Sequence, residues 1–192
     1  MHKQERTEAI ARLARAERGR RGRQAFLDGL SSVTGVTIRA DQLLDLKATD
    51  EVRVELGTGY ALAVAEQGAT RRVFFTRAEE DAAMRIPGLM ASPLAEERVI
   101  LWLKQSKDCG AIKLTAGQVL RACDAIRAFD GDAVSMLSED RTNGFILDKH
   151  EDDVAETFEV SVWGSAWLEA ATCLPFGPTV RKPYDRQNYQ LP

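Results

Sequence analysis

The sequence lacks the long apolar runs that membrane-spanning helices need. A span takes about 20 consecutive, mostly apolar residues, and no uninterrupted apolar run in these 192 residues comes near that length. Basic residues near the N-terminus are not followed by an apolar stretch, so the pattern of a secretory signal is missing as well. We therefore expect a cytoplasmic protein without membrane contact.

Cysteine and histidine, which supply many metal and nucleophile sites, are scarce. The three cysteines form no CxxC pair and leave at least one thiol unpaired, which argues against a disulfide framework and a cysteine zinc site. His2 lies at the terminus, so any histidine-based site depends on His150. No GxSxG nucleophile motif and no GxxxxGK[ST] phosphate loop occurs. These absences predict no cofactor and favour a non-catalytic protein over an enzyme.

The overall composition is that of a folded globular protein. Hydrophobic residues make up 44% and charged residues 29% of the chain, well away from the range of disordered chains. A chain of this length can bury a core of its own. We expect a basic helical segment over 1–35, a single α+β domain over 36–173 and a Pro-rich tail over 174–192.

Charge is unevenly distributed along the chain although the net charge is only −3. Residues 3–23 contain eight basic and three acidic side chains, a local charge of +5. Residues 130–160 contain ten acidic and two basic side chains, a local charge of −8. Segregated charge of this kind attracts partners of opposite sign, so both segments are candidate binding surfaces.

The N-terminal region has the pattern of a helix. Residues 4–30 contain no proline and many alanines, and their apolar residues recur at helical spacing. Glycine in a helix interior costs about 1 kcal/mol relative to alanine. Gly19 and Gly22 therefore predict a break between two helical pieces, and Gly35 is expected to end the segment.

Alternating apolar and polar residues predict two β-meanders. The first covers residues 51–76, with strands around Val54, Leu62 and Phe74 separated by turns at 57–59 and 67–70. The second covers residues 133–163, with strands over 133–138, 145–149 and 157–163, and Asn143-Gly144 in the first connecting loop.

Helical patterns separate and follow the two meanders. A short helix is expected after Thr76 and is expected to stop at Pro87-Gly88, and a second helix, opened by Ser92, is expected to carry residues 99–103. A strand over 111–114 leads to a capping box of Thr115 and Gln118 with a helix behind it, and a last short helix starts at Ser165. The fold class is α+β: two antiparallel β-meanders with an N-terminal basic helix and intervening helices. The predicted inward residues are Val54, Leu62, Val64, Phe74, Val99, Trp102, Leu120, Ile126, Phe158, Val160 and Val162.

His150 stands in a run of acids that permits two interpretations. Alternation of Asp148, His150 and Asp152 along a strand would place three metal-ligating side chains on one side, as in a metal-dependent hydrolase. The same run is also typical of a solvated hairpin turn that protects a sheet edge. We favour the turn, because a second cluster of ligands is missing, and predict no bound metal.

The Gly19-Arg20-Arg21-Gly22 stretch is similar to the GxxG loop of RNA-binding KH domains, which lies between two helices and clamps the nucleic-acid backbone. The resemblance is confined to this motif, and it departs from the KH pattern because no strand is predicted before the first helix. It implies a nucleic-acid site formed by Arg18, Arg20, Arg21 and Arg23. The competing interpretation is a basic helix that packs against the acidic half of its own chain or of another copy. We expect no nucleic-acid partner and keep this function as the first alternative.

The leading hypothesis is a non-catalytic protein-binding domain of the inhibitor, immunity or adaptor type. Its acidic second meander would face a basic partner protein, because opposite charges speed association. A homodimer is a further option, and the metal-dependent hydrolase at His150 is the second alternative. The predicted partner-facing residues are Glu139, Asp140, Asp148, Glu151, Asp152, Asp153, Glu156 and Glu159.

Overall fold

The computed structural model of the protein describes residues 3–65, 70–131, 133–151 and 156–172. The helices are α1 (Lys3–Thr34), α2 (Leu46–Ala65), α3 (Glu80–Met90), α4 (Ser106–Cys109), α5 (Ala116–Arg121), α6 (Cys123–Asp130) and α7 (Ser165–Thr172). The strands are β1 (Thr70–Thr76), β2 (Arg98–Trp102), β3 (Ile112–Thr115), β4 (Val134–Ser138), β5 (Gly144–Glu151) and β6 (Glu156–Trp163). The predicted α+β class is confirmed. None of the described helices is long and apolar enough to cross a membrane.

The six strands form one antiparallel sheet in the order β1-β6-β5-β4-β2-β3. Helices cover the sheet on both faces. On one face α2 packs Val52 and Leu56 into a core with Ile100, Leu137 and Trp163. On the other face α1, α3, α5, α6 and α7 contribute to the larger core. The sheet is therefore the central layer, with α2 alone on one side in the described part of the chain.

The second meander was predicted correctly. β4, β5 and β6 pair in sequence order, with Phe145 opposite Met136 and Val162 opposite Phe145. The capping box of Thr115 and Gln118 opens α5, as expected from its sequence. Alternation is visible here because β6 turns Phe158, Val160 and Val162 toward the larger core, while the polar Glu159 and Ser161 lie on its opposite face.

The prediction of a first meander is wrong, because residues 46–65 form the helix α2. Residues two apart on a helix point to nearly opposite sides, whereas residues four apart share a side. Val52 and Leu56 therefore face the sheet while Val54 faces solvent. A helix with apolar residues on two opposite faces produces the same alternation as a strand, and only β1 of the three predicted strands exists.

The glycines that suggested a hairpin turn in this region lie inside α2 instead. A Cβ at Gly59 would come within 3.1 Å of the indole nitrogen of Trp163, whereas a Cβ at Gly57 would meet nothing within 4 Å. On the other side of Trp163, a Cβ at Gly144 would overlap the indole ring. Gly59 and Gly144 thus make room for Trp163, and the glycine of the Asn143-Gly144 pair serves packing at the start of β5.

Residues 99–103, predicted as helix, lie mostly in β2, and the expected helix start at Ser92 is a turn. β2 pairs with β4 on one side and β3 on the other. A central strand covered on both faces has a continuous apolar run, which periodicity cannot distinguish from a buried helix. Pro87, expected to stop α3, lies within it, and the helix continues to Met90.

Most of the predicted inward residues are buried, and the exposed exceptions lie on α2, which was predicted as strands. Val54, Leu62 and Val64, all on α2, are 66%, 59% and 42% exposed. Phe74 and Trp102 are half-buried. The residues found buried are Val99, Leu120, Ile126, Phe158, Val160 and Val162.

The predicted break at Gly19 and Gly22 does not occur, and α1 runs unbroken to the left-handed Gly35. Gly19 is buried against α4, where a Cβ would overlap the backbone carbonyl oxygen of Asp108. Gly22 faces the Sγ atom of Cys109. The helix keeps both glycines because close packing of α1 on α4 offsets their low helix propensity.

Substitution of two helical glycines by alanine should have opposite effects on stability. Gly19→Ala forces α1 away from α4 and should lower the free energy of unfolding by about 1–3 kcal/mol. Gly57→Ala adds a methyl group in open space and should raise it by about 0.5–1 kcal/mol. Urea unfolding followed by circular dichroism measures both. An equal gain in stability for both variants would contradict the close contact at Gly19.

Candidate functional site

Two of the predicted partner-facing acids lie at the turn between β4 and β5. The Glu139 carboxylate accepts a hydrogen bond of 2.8 Å from Lys113 Nζ and lies 3.8 Å from Arg98 NH1. The Asp140 carboxylate accepts hydrogen bonds from the Ser138 hydroxyl and from the backbone and hydroxyl of Thr142. Both carboxylates are partly engaged in holding the turn.

The remaining acids of this group occupy different environments. Asp148 lies on β5, with Oδ2 3.7 Å from Nε2 of His150. Glu159, on β6, is only 3% exposed, so its predicted place on the acidic surface is wrong. Asp152 and Asp153, and the side chains of Glu151 and Glu156, lie outside the described residues.

Glu159 is the centre of a polar network between α2 and the sheet. Arg72 on β1 donates two hydrogen bonds, from Nε at 2.7 Å and NH2 at 2.9 Å. The Tyr60 hydroxyl donates at 2.7 Å and the Ser161 hydroxyl at 2.6 Å, and His150 Nε2 lies 2.9 Å away. Four elements, α2, β1, β5 and β6, thus converge on one carboxylate.

Arg72 is held between rings as well as by Glu159. Its guanidinium carbon lies 4.6 Å from the ring centroid of Phe74 and 5.5 Å from that of Tyr60. Stacking of this kind and a two-point carboxylate contact fix the plane of a guanidinium. The site is therefore rigid in geometry and shielded from water on the Arg72 side.

The charges in this network shift one another's proton equilibria. Burial by itself raises the pKa of Glu159, but the hydrogen bonds from His150, Arg72, Ser161 and Tyr60 outweigh it and bring the pKa far below its ordinary value. The hydrogen bond to Glu159 raises the pKa of His150, partial burial opposes this, and Asp148 adds to the increase. Burial and the bond to Glu159 raise the pKa of Tyr60. Glu159 is therefore held ionised, and the protonated form of His150 is favoured beside it.

The Glu159 carboxylate, which accepts hydrogen bonds from all sides, is better suited to holding α2 and the strands together than to catalysis. All acceptor capacity of Glu159 is used by neighbouring donors, so the carboxylate cannot easily take a proton from a substrate. The sequence analysis missed Tyr60, Arg72 and Ser161. The alternation of β6 indicated only that Glu159 faces away from the larger core, and no local signal indicated that α2 and β1 would cover it.

His150 lies on β5, opposite Thr157, and therefore not in a solvated turn. In the described part of the chain, no group of three histidine, cysteine or acidic side chains is arranged to hold a metal ion. Cys109 and Cys123 are buried free thiols whose pKa values are raised chiefly by burial. A raised pKa leaves little thiolate at neutral pH.

The arginines of the predicted nucleic-acid site do not lie in a loop. Arg18 pairs with Asp108 on α4, and Arg20 and Arg21 both bind Glu17 on their own helix. Arg23 is exposed on the same helix. The GxxG stretch is a helix-packing contact, so the loop context that made it similar to KH domains is absent here.

A solvent-facing groove lies between α1 and α2. It has a volume of about 940 Å³. The lining residues are Ala11, Arg12, Arg15 and Arg18 on α1 and Leu46, Lys47, Asp50, Glu51, Val54 and Glu55 on α2. A second groove shares Arg15, Asp50 and Val54 with it and extends to Leu62. Arg15 joins the helices here, with NH1 2.6 Å from Asp50 Oδ2. The groove therefore exposes the outward apolar residues of α2 beside paired charges.

The stability gained from His150 should depend on pH. Because its pKa is raised on folding, protonated His150 stabilises the fold below its ordinary pKa of about 6.5, and this contribution is lost as the pH rises through the folded value. The melting-temperature difference between wild type and His150→Gln should therefore be largest near pH 5.5 and shrink toward about pH 8.5. His2→Gln, a change of the other histidine, should follow the wild type. A difference that is constant over this range would rule out the coupling to Glu159.

Comparison with known proteins gives no assignment for this chain. No protein-family model, curated protein or solved structure matches it. Its function must therefore be argued from the geometry of the described residues.

Proposed function

We propose that this chain is a non-catalytic protein-binding domain of the inhibitor, immunity or adaptor type whose partner is a basic protein. The observation that carries the proposal is the outward face of α2. Val54 is 66% and Leu62 59% exposed on a helix whose opposite face is already buried against the sheet. Apolar groups grouped in this way on a surface are typical of protein interaction sites.

The shape of this face supports contact with another protein. Val54, Thr58, Ala61 and Leu62 recur at helical spacing on the outward side of α2, and all are exposed. Small residues between two larger apolar residues let a partner backbone approach closely, with the large residues as anchors. The groove beside α1 lengthens the same surface.

The charges around this face are mixed, and the case for a basic partner depends on the acidic region of residues 130–160. Asp50, Glu51 and Glu55 lie along the same helix, and Glu55 is joined to the β4–β5 turn by Arg141, with Oε2 and NH1 2.9 Å apart. Four basic side chains line the groove as well, namely Arg12, Arg15, Arg18 and Lys47, of which Arg15 is paired with Asp50 and Arg18 with Asp108. Residues 130–160 have a formal charge of −8, of which Glu159 and Glu139 are paired within the fold, and the remaining negative charge would speed association with a cation-rich protein.

Site-specific photo-crosslinking in the source cells tests this proposal. The photoreactive residue p-benzoyl-phenylalanine replaces Val54 in one variant and Leu89 in a matched control, since Leu89 is 56% exposed on α3. We expect a heterologous basic protein to be captured at position 54 but not at 89. Capture of only a second copy of this chain, or equal capture at both positions, would contradict the proposal.

The captured protein, once purified, allows a quantitative test of the same face. Leu62→Glu removes one of the two apolar anchors of the surface and should weaken binding at least tenfold, whereas Leu89→Glu should leave it unchanged. Both positions are exposed, so both variants should keep the wild-type melting temperature within a few degrees. The wild-type association rate should fall as salt rises, because salt screens the steering charges. Equal affinity for both variants would show that α2 is not the binding face.

A further inference from the structure

The first half of α1 presents an apolar stripe that no described part of its own chain covers. Ile10 is 57% and Leu13 70% exposed. The side of α1 that meets the rest of the protein carries Arg15, Gly19 and Phe26, and on a helix this side is nearly opposite to Ile10 and Leu13. The stripe therefore points away from α2, and it is separate from the groove of the proposed function.

The stripe has the spacing of a coiled-coil seam. Arg6, Ile10, Leu13 and Glu17 follow one another by four, three and four residues, the alternation of d and a positions in a heptad repeat. The positions that flank the seam hold Thr7, Ala9, Ala14 and Ala16. Small flanking residues allow two helix axes to come within about 8–10 Å.

The pattern is complementary to itself in the antiparallel direction. A two-fold axis that passes between residues 11 and 12 gives a symmetric contact. Each residue of one copy then lies opposite the residue of the other copy for which the two residue numbers add up to 23. Ile10 of each copy then meets Leu13 of the other copy, and Arg6 of each copy meets Glu17 of the other. Parallel alignment would place like charges together, which is unfavourable.

We infer that α1 forms an antiparallel homodimer seam, with a second copy of this chain as the occupant of the Arg6-Ile10-Leu13-Glu17 stripe. The Glu17 carboxylate, which binds Arg20 and Arg21 in one chain, accepts the Arg6 guanidinium of the other at the end of the seam. A seam of about three helical turns buries less than the roughly 1,200 Å² that marks a stable interface. The dimer is therefore a weak one that forms with rising concentration and leaves the outward face of α2 free.

Sedimentation equilibrium of the full chain at concentrations from micromolar to submillimolar tests the seam. The wild type should pass from monomer to dimer over this range. Leu13→Glu places a carboxylate against Ile10 of the second copy and should weaken dimerisation at least tenfold. Leu89→Glu introduces the same charge at an equally exposed leucine on α3 and should dimerise as the wild type does. A wild type that stays monomeric throughout, or equal dimerisation of both variants, would overturn the inference.

A charge exchange determines the direction of the two helices. In the antiparallel seam Arg6→Glu and Glu17→Arg should each weaken self-association relative to the wild type, because both end pairs then join like charges, and an equal mixture of the two should associate as tightly as the wild type does. A parallel seam, in which like charges already meet in the wild type, would leave each single variant unchanged and make the mixture associate more tightly than the wild type. The double variant Arg6→Glu with Glu17→Arg should recover homodimerisation. Circular dichroism checks that helix content is unchanged, since Glu17→Arg also removes the bonds to Arg20 and Arg21. Failure of both the mixture and the double variant to associate would refute the antiparallel register.

Discussion

The close approach of α2 to the sheet is the constraint on which the rest of this structure depends. Trp163 fills the space between them, and it fits because Gly59 on α2 and Gly144 on β5 carry no side chain. Tyr60 packs edge-on against the same indole ring, 6.1 Å between centroids, and so brings its hydroxyl to Glu159. A bulkier residue at either glycine would lift α2 and remove one donor from that carboxylate.

Glu159 is buried because α2 lies so close to the sheet. The acidic region is therefore not a uniformly exposed surface. An isolated buried carboxylate would be costly, and donors from four elements offset the cost here. Glu159 therefore links α2, β1, β5 and β6 through its hydrogen bonds. Asp140 stabilises a turn, and Glu139 binds Lys113. Acids that are neighbours in sequence thus serve separate structural purposes, and the surface charge left for a partner is smaller than the sequence indicates.

Each of the two long helices buries some of its apolar residues in the core and exposes others to solvent. α2 buries Val52 and Leu56 and exposes Val54 and Leu62. The second half of α1 is anchored by Phe26, Leu27 and Leu30, and its first half leaves Ile10 and Leu13 in solvent. Exposed apolar groups on well-anchored helices cost little folding energy and offer preformed contact surfaces. The proposed partner face and the proposed dimer seam lie on different helices and can be tested separately.

The sequence by itself determined whatever depends on neighbouring residues. The antiparallel strands β4 to β6, the capping box of Thr115 and Gln118, and the end of α1 at Gly35 all follow from local alternation, side-chain capping and glycine's positive φ. Tertiary structure decided the rest. Residues 46–65 form a helix that packs on the sheet. The sequence alone could not show this, because a helix with two apolar faces has the same alternation of apolar and polar residues as a strand. Tertiary structure kept Gly19 inside a helix, because the compensating contact with Asp108 comes from 89 residues away. It also gathered Tyr60, Arg72 and His150 around Glu159, since their distances depend on how α2 and β1 meet the sheet and no local pattern encodes that meeting.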